Sequence, residues 1–409
     1  MIDWYLITFG ALLVFFVTRY GVFSFPVFFV SQVILYLVAM PLALNGFDEV
    51  TGARADMTWK FPVAVTLYSV FYLLGVRLSA PLAFERNFYL KVKAREPQLK
   101  RAGSRVATVA LGFIAAGMIA YSIASRNIFT SGDLLFTIIG FDLALVLYLI
   151  GHNRRPAWLN AIFFICLLLL YIYSGFRYRI LILFLAEVIP FALGRSRIFS
   201  RIAIISGTIL LAVILGAFAQ IRSYGSFSVV DLLNTDLDIR TALLASGEQT
   251  VSISTIAIIE NNDYLPKIGF EPIVLVATQF IPSAIFPDKP RASYLGFYNR
   301  VTKGLRSTGT AMHDVGQATL MFGIGGLPFS SFLFGYIIGF FLNSMLKRSE
   351  SLQYMVAALV LFGISIPTRG YFAQQITWAL TFLMPVVLIH FSGRLVFGGR
   401  RGKTYIIRE

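Results

Sequence analysis

Two arginines lie in a very short polar connection between two apolar stretches, in the sequence Ser-Gly-Phe-Arg-Tyr-Arg that ends with Arg177 and Arg179. A guanidinium group matches phosphate oxygens bidentately and keeps its charge, so these residues are candidates for binding a phosphorylated lipid. Residues two apart point about 200° apart on a helix, so only one of the pair is expected to face a common site. Arg369, between the last two apolar stretches, is a candidate for the same reason. The simpler alternative is that these side chains reach lipid headgroups.

A second basic group follows an apolar run in the sequence Pro-Asp-Lys-Pro-Arg, which contains Lys289 and Arg291. The two prolines make the backbone rigid and place charged groups beside an apolar segment, where an unpaired charge is costly. Lys289, Arg291 and the nearby Arg300 are therefore predicted to contact the same phosphate or its sugar. A surface pair between Asp288 and Arg291 is the alternative.

His313 and Asp314 are adjacent and flanked by Gly309 and Gly316. A histidine or a carboxylate in such a position is able to take a proton from an attacking hydroxyl group. We therefore predict that His313 and Asp314 are catalytic, although most single histidines have structural roles.

Acidic residues also occur inside apolar stretches, where ionisable groups are functional hypotheses by default. Glu187 is two helical turns from Arg179 and is expected to neutralise a buried basic group, whereas the sequence suggests no partner for Asp142. The D-x-D pattern of Asp236 and Asp238 resembles a metal–nucleotide-sugar motif, but its carboxylates would lie on different sides of a helix. Because the chain also has a single cysteine, we predict no essential metal or cofactor.

The composition is that of an integral membrane protein, with 57% hydrophobic and 13% charged residues. Soluble domains have about 25% charged residues. The net charge of +15 does not indicate nucleic-acid binding, because the basic residues fall mostly in short segments between apolar runs.

The apolar runs predict an all-α polytopic protein of about eleven transmembrane helices. Basic residues in the short connections place the N-terminus outside and the C-terminus in the cytoplasm. The predicted spans are 3–18, 21–44, 61–83, 105–124, 133–151, 156–174, 178–193, 199–220, 323–346, 351–367 and 372–393.

One outward-facing segment, residues 221–322, is much longer than an ordinary connection and is called the outer segment below. It separates helices 1–8 (residues 1–220) from helices 9–11 and a basic cytoplasmic tail (residues 323–409). It is expected to contain an amphipathic helix near 228–244, an apolar helix near 250–260, and a re-entrant or interfacial helix within 272–286.

Two blocks resemble the Wzy-type O-antigen or oligosaccharide repeat-unit polymerases. The first is I-P-S-A-I-F-P-D-K-P at 281–290, and the second, at 309–326, has the form G-x-A-x-x-D-x-G followed by F-G-x-G-G. The resemblance implies a GT-C-like membrane glycosyltransferase in the bacterial inner membrane, with its active site facing the periplasm. Its donor would be an oligosaccharide on undecaprenyl pyrophosphate, and its acceptor a lipid-linked repeat unit.

The same resemblance implies a flippase and a chain-length regulator as possible partners, and no cofactor. Two other functions fit the sequence. An O-antigen ligase-type transferase would use the same donor with a different acceptor, and a polysaccharide-lipid flippase or transporter would move the lipid without chemistry. Matched halves with broken helices, which are common in transporters, are not evident in the sequence.

Overall fold

The computed structural model describes residues 2–41, 47–48, 53–54, 56–85, 88, 91, 105–124, 134–174, 177–193, 249–278, 286, 312–348, 351–368 and 372–397. These residues are helical apart from turns, short connections and one antiparallel pair of two-residue strands, β1 (Phe47–Asp48) and β2 (Ala53–Arg54). The described helices are α1 (Ile2–Tyr20), α2 (Phe25–Val33, continued by a π-helix, Ile34–Ala39), α3 (Lys60–Ser79), α4 (Arg105–Ala124), α5 (Leu134–Gly151), α6 (Ala157–Ser174), α7 (Arg177–Leu193), α8 (Gln249–Glu260), α9 (Glu271–Thr278), α10 (Asp314–Arg348), α11 (Leu352–Val360, continued by a π-helix, Leu361–Ser365), α12 (Ile366–Thr368) and α13 (Phe372–Phe397). Short 3₁₀ turns occupy Pro81–Phe84, His152–Arg154 and Asn262–Tyr264.

Every predicted span except 199–220 overlaps a described helix, and 199–220 lies outside the described residues. By length and apolar composition, three of the described helices are able to cross a membrane: Lys60–Ser79, Asp314–Arg348 and Phe372–Ser392. The all-helical class and the apolar character of a membrane protein are therefore confirmed, whereas the count of eleven spans stays a prediction.

Helices α3 and α10 pack closely along their length because glycines line their contact. A Cβ atom on Gly75 would collide with the backbone of Phe332, and one on Gly335 would collide with the backbone of Tyr72. Such small-residue contacts let helix backbones approach each other in membranes, where the hydrophobic effect does not drive helix association. Asn343 adds a hydrogen bond across this contact, from its Nδ2 to the carbonyl oxygen of Ser79 (2.9 Å).

The beginning of α3 is fixed by residues from the outer segment. The Glu260 carboxylate, at the end of α8, accepts hydrogen bonds from the backbone amides of Thr58 (2.8 Å) and Phe61 (3.2 Å). It thereby satisfies amides that the first turn of a helix leaves without partners. Lys60 pairs with Asp263 (2.5 Å), and this hydrogen bond holds the pKa of the exposed Asp263 carboxyl below its usual value.

Helix α10 is broken at Gly323, where φ is 76° and ψ is −177°. The short limb before the break folds back onto the long limb, since the Ser330 hydroxyl donates to the carbonyl oxygen of Ala318 (2.9 Å). The backbone amides of Ile268 and Gly269 donate to the carbonyl oxygens of Leu320 and Met321, each at 3.0 Å. The break therefore occurs where the outer segment supplies partners for the freed carbonyl groups.

The predicted start of the ninth span at residue 323 coincides with this break, whereas the helix itself begins nine residues earlier, at Asp314. Within the outer segment, the apolar helix predicted near 250–260 is α8. Helix α9 covers the first part of the range 272–286, in which a re-entrant or interfacial helix was predicted. The predicted amphipathic helix near 228–244 lies outside the described residues.

Candidate functional site

A group of polar side chains is buried where the short limb of α10 begins. Residues 312–321 are all buried. Polar groups from α2, α3 and α13 converge on His313 and Asp314, where the helix begins. We call this group the Asp314 cluster. Its members are Gln32, Tyr68, Tyr72, His313, Asp314 and Gln375.

Asp314 is fully buried at the first position of α10. The Gln375 amide donates a hydrogen bond to its Oδ1 atom. The phenols of Tyr68 and Tyr72 interact electrostatically with the carboxylate. The Tyr68 hydroxyl is close enough to act as a hydrogen-bond donor to Asp314, although the contact departs from ideal hydrogen-bond geometry. The buried carboxylate is thus surrounded by an amide and two phenols.

His313 has both ring nitrogens engaged. Nδ1 accepts from the backbone amide of Val315 (3.2 Å), and Nε2 lies 2.7 Å from the side-chain nitrogen of Gln32. The His313 ring also meets the Tyr68 ring edge-on, with 5.5 Å between ring centres. His313 belongs to the outer segment as defined from the sequence, yet it is fully buried among side chains of α2, α3 and α8.

The short limb of α10 is held in place by its neighbours on two sides. On α8, the Thr255 hydroxyl oxygen accepts from the backbone amide of His313 (2.9 Å). On α13, the backbone amide of Phe372 donates to the Gln317 side chain of the short limb (2.6 Å). The Phe372 ring also stacks on Phe334 of the long limb, with 4.1 Å between ring centres. These contacts fix the position of the Asp314 carboxylate relative to α13.

Arg179 and Asp142 form a second buried charged centre. The Nε atom of Arg179 donates to Asp142 Oδ1 (2.6 Å), and the Thr381 hydroxyl donates to Asp142 Oδ2 (3.0 Å). Asp142, for which the sequence suggested no partner, therefore neutralises the arginine that was predicted to bind phosphate. The pair lines a recess of about 250 Å³ together with the aromatic side chains of Tyr178, Trp378 and Phe382.

Helix α13 connects the two centres. Gln375 contacts Asp314, and Thr381, six residues later on the same helix, contacts Asp142. Six residues correspond to an axial rise of about 9 Å. The buried Asp314 carboxylate and the buried arginine–carboxylate pair are thus neighbours along one helix.

Glu187 has a basic partner, as expected, but that partner is His152 rather than Arg179. The Glu187 carboxylate accepts from the Tyr148 hydroxyl (2.9 Å) and lies 3.0 Å from Nε2 of His152. Glu187 lies two turns from Arg179 on α7, and its partners come from the end of α5 and the turn that follows it, so the sequence spacing did not identify them.

The structure places the remaining predicted residues only in part. Arg177 begins α7, and its side chain lies outside the described residues, as do Lys289, Arg291, Arg300, Arg369, Asp236 and Asp238. Sequence reasoning missed Gln32, Tyr68, Tyr72 and Gln375. The available signal was an amide side chain inside a predicted span, at Gln32 and at Gln375, because polar residues in spans are costly unless they face a partner.

Comparisons of the chain with protein-family models, with curated proteins and with solved structures give no match.

Proposed function

We propose that the protein is a metal-independent membrane glycosyltransferase that polymerises lipid-linked oligosaccharide repeat units on the periplasmic face of the inner membrane. The donor is a glycan on undecaprenyl pyrophosphate, and the acceptor is a repeat unit on the same lipid. A flippase that delivers the repeat units and a chain-length regulator are the proposed partners.

The observation that carries this proposal is the position of the second resemblance block. Its aspartate, Asp314, is a fully buried carboxylate contacted by an amide and phenols, and its Gly323 breaks the helix that presents this residue. The described residues of the block, from 312 onward, thus build one structural unit around a buried carboxylate. Such a carboxylate near a buried arginine supports an acid–base reaction more than a purely structural role.

In the proposed reaction, Asp314 accepts the proton of an acceptor sugar hydroxyl as that oxygen attacks the anomeric carbon of the donor. The bond from this carbon to the pyrophosphate oxygen breaks, and the lipid pyrophosphate leaves with the electron pair. General-base catalysis of this kind contributes about 10²–10⁴-fold in rate. Because the donor is already activated, the reaction needs neither a nucleotide nor a metal.

Arginines suit the leaving group, because fixed positive charge stabilises the negative charge that develops on pyrophosphate. The proposed contacts to the pyrophosphate or its sugar are Arg177, Arg179, Lys289, Arg291, Arg300 and Arg369. For Arg179, the recess beside the Asp142 pair supports this role, since aromatic rings and a guanidinium line it together.

Two alternatives remain within the proposal. A ligase-type transferase would use the same donor and the same groups. A flippase or transporter is favoured by one feature that the sequence did not reveal, the broken helix α10 with polar residues buried around it, because discontinuous helices often form transporter binding sites.

Deletion of the gene, followed by gel analysis of the surface glycan, separates these functions. A polymerase defect leaves core carrying a single repeat unit. Loss of all attached glycan would indicate the ligase or the transporter, and an unchanged ladder would exclude all three. Complementation by the wild-type gene is the control.

A further inference from the structure

His313 occupies the N-cap position of α10. Its Nδ1 atom accepts from the backbone amide of Val315, two residues later, and its carbonyl oxygen accepts from the amide of Gly316 (2.9 Å). A side-chain acceptor bonded to the second or third residue of a helix is the usual N-cap arrangement. Asp314, at the first helical position, follows this cap directly.

The hydrogen bonds also determine which nitrogen of the ring carries the proton. Because Nδ1 accepts a hydrogen bond, a neutral His313 ring is protonated at Nε2. Nε2 lies 2.7 Å from the side-chain nitrogen of Gln32. Because two N–H groups cannot bond to each other, we assign the Gln32 amide in the flipped orientation, in which its oxygen accepts from Nε2. The Gln32 oxygen is the matching acceptor, and it would otherwise be buried with no partner among the described residues.

We infer that His313 is a positioning residue, and that Gln32 and His313 together orient the Asp314 carboxylate. The ring cannot take up a proton without losing the bond from Val315, since a protonated imidazole has no acceptor. His313 is therefore excluded as the base in this arrangement. The inference rests on the proposed function only in assigning Asp314 to the reaction.

The consequence is that position 313 requires a short side-chain acceptor and does not require a titratable group. Asparagine is among the best N-cap residues, and its carbonyl oxygen is able to accept from the amide of residue 315. Alanine removes the acceptor and leaves a buried backbone amide without a partner. The two substitutions therefore separate a positioning role from a chemical role.

The test compares wild type, His313→Asn and His313→Ala, purified in detergent and reconstituted with lipid-linked repeat units. We expect His313→Asn to polymerise within about threefold of wild type with an unchanged pH profile, since the cap is kept. His313→Ala should lose about tenfold or more, because a misplaced reacting group is costly. The thermal unfolding midpoint should fall for the alanine variant and stay close to wild type for the asparagine variant.

Two results would overturn the inference. One is a folded His313→Asn protein that is as inactive as His313→Ala, which would make the imidazole itself part of the chemistry. The other is a His313→Ala protein with wild-type activity and stability. If wild type itself does not polymerise, the proposed function fails, and the unfolding midpoints alone decide the capping role: equal losses in both variants would refute it.

Discussion

At the scale of single residues, the sequence predicted the identities of the charged groups better than their partners. Asp142 and Arg179 were both singled out, yet their pairing depends on α5 and α7 lying side by side, which no spacing within one chain segment reveals. The same limit explains Glu187, which pairs with His152. Partners on different helices are set by bundle packing, and the hydrophobic pattern of each helix does not specify that packing.

The buried pair leads to a prediction for Arg179. Arg179→Ala leaves Asp142 buried without its partner, which should cost about 3–5 kcal/mol in stability. The variant should insert into the membrane but unfold at a lower temperature in detergent and fail to polymerise. The double variant Arg179→Met with Asp142→Leu removes both charges and should recover most of the lost stability.

The double variant also separates stability from chemistry at this pair. A stable, inactive double variant supports a phosphate contact by Arg179, whereas a stable variant with full activity would leave this arginine with a structural role alone. An Arg179→Ala protein with wild-type unfolding behaviour would contradict the buried pair itself.

At the scale of elements, the broken helix α10 determines where the Asp314 cluster forms. Hydropathy predicted a span from residue 323, but not the short limb before it, because that limb carries polar groups. The backbone at Gly323 has a positive φ with an extended ψ, a region that is essentially restricted to glycine. Its neighbours Ile268 and Gly269 come from the outer segment, so this segment and the break depend on each other.

Gly323→Ala should therefore destabilise the protein by about 1–3 kcal/mol and lower activity, since the short limb carries Asp314. Gly325→Ala is the matched control, because it is helical and a Cβ atom there meets no atom within 4 Å. Thermal unfolding of both purified variants measures the difference. Equal midpoints for the two variants would show that residue 323 does not need its observed backbone conformation.

At the scale of the whole molecule, composition and hydropathy predicted the membrane class and the positions of nearly all described helices. Exposed aromatic residues lie at one end of the bundle, where Trp59 and Tyr264 are exposed to 57% and 87% beside the Lys60–Asp263 pair. Tryptophan and tyrosine are enriched at membrane–water interfaces. The convergence of α2, α3 and α13 on His313 and Asp314 was not predictable, because it joins residues almost 350 positions apart, from Gln32 to Gln375.

The most direct test of the proposed transferase is polymerisation by the purified protein in liposomes supplied with lipid-linked repeat units and excess EDTA. Glu187→Gln, which alters a carboxylate outside the Asp314 cluster, is the matched control, and unfolding midpoints confirm that each variant is folded. We expect a glycan ladder from wild type and Glu187→Gln, and a loss of at least about 100-fold in Asp314→Asn. A full ladder from a folded Asp314→Asn protein, or no ladder from wild type, would contradict it.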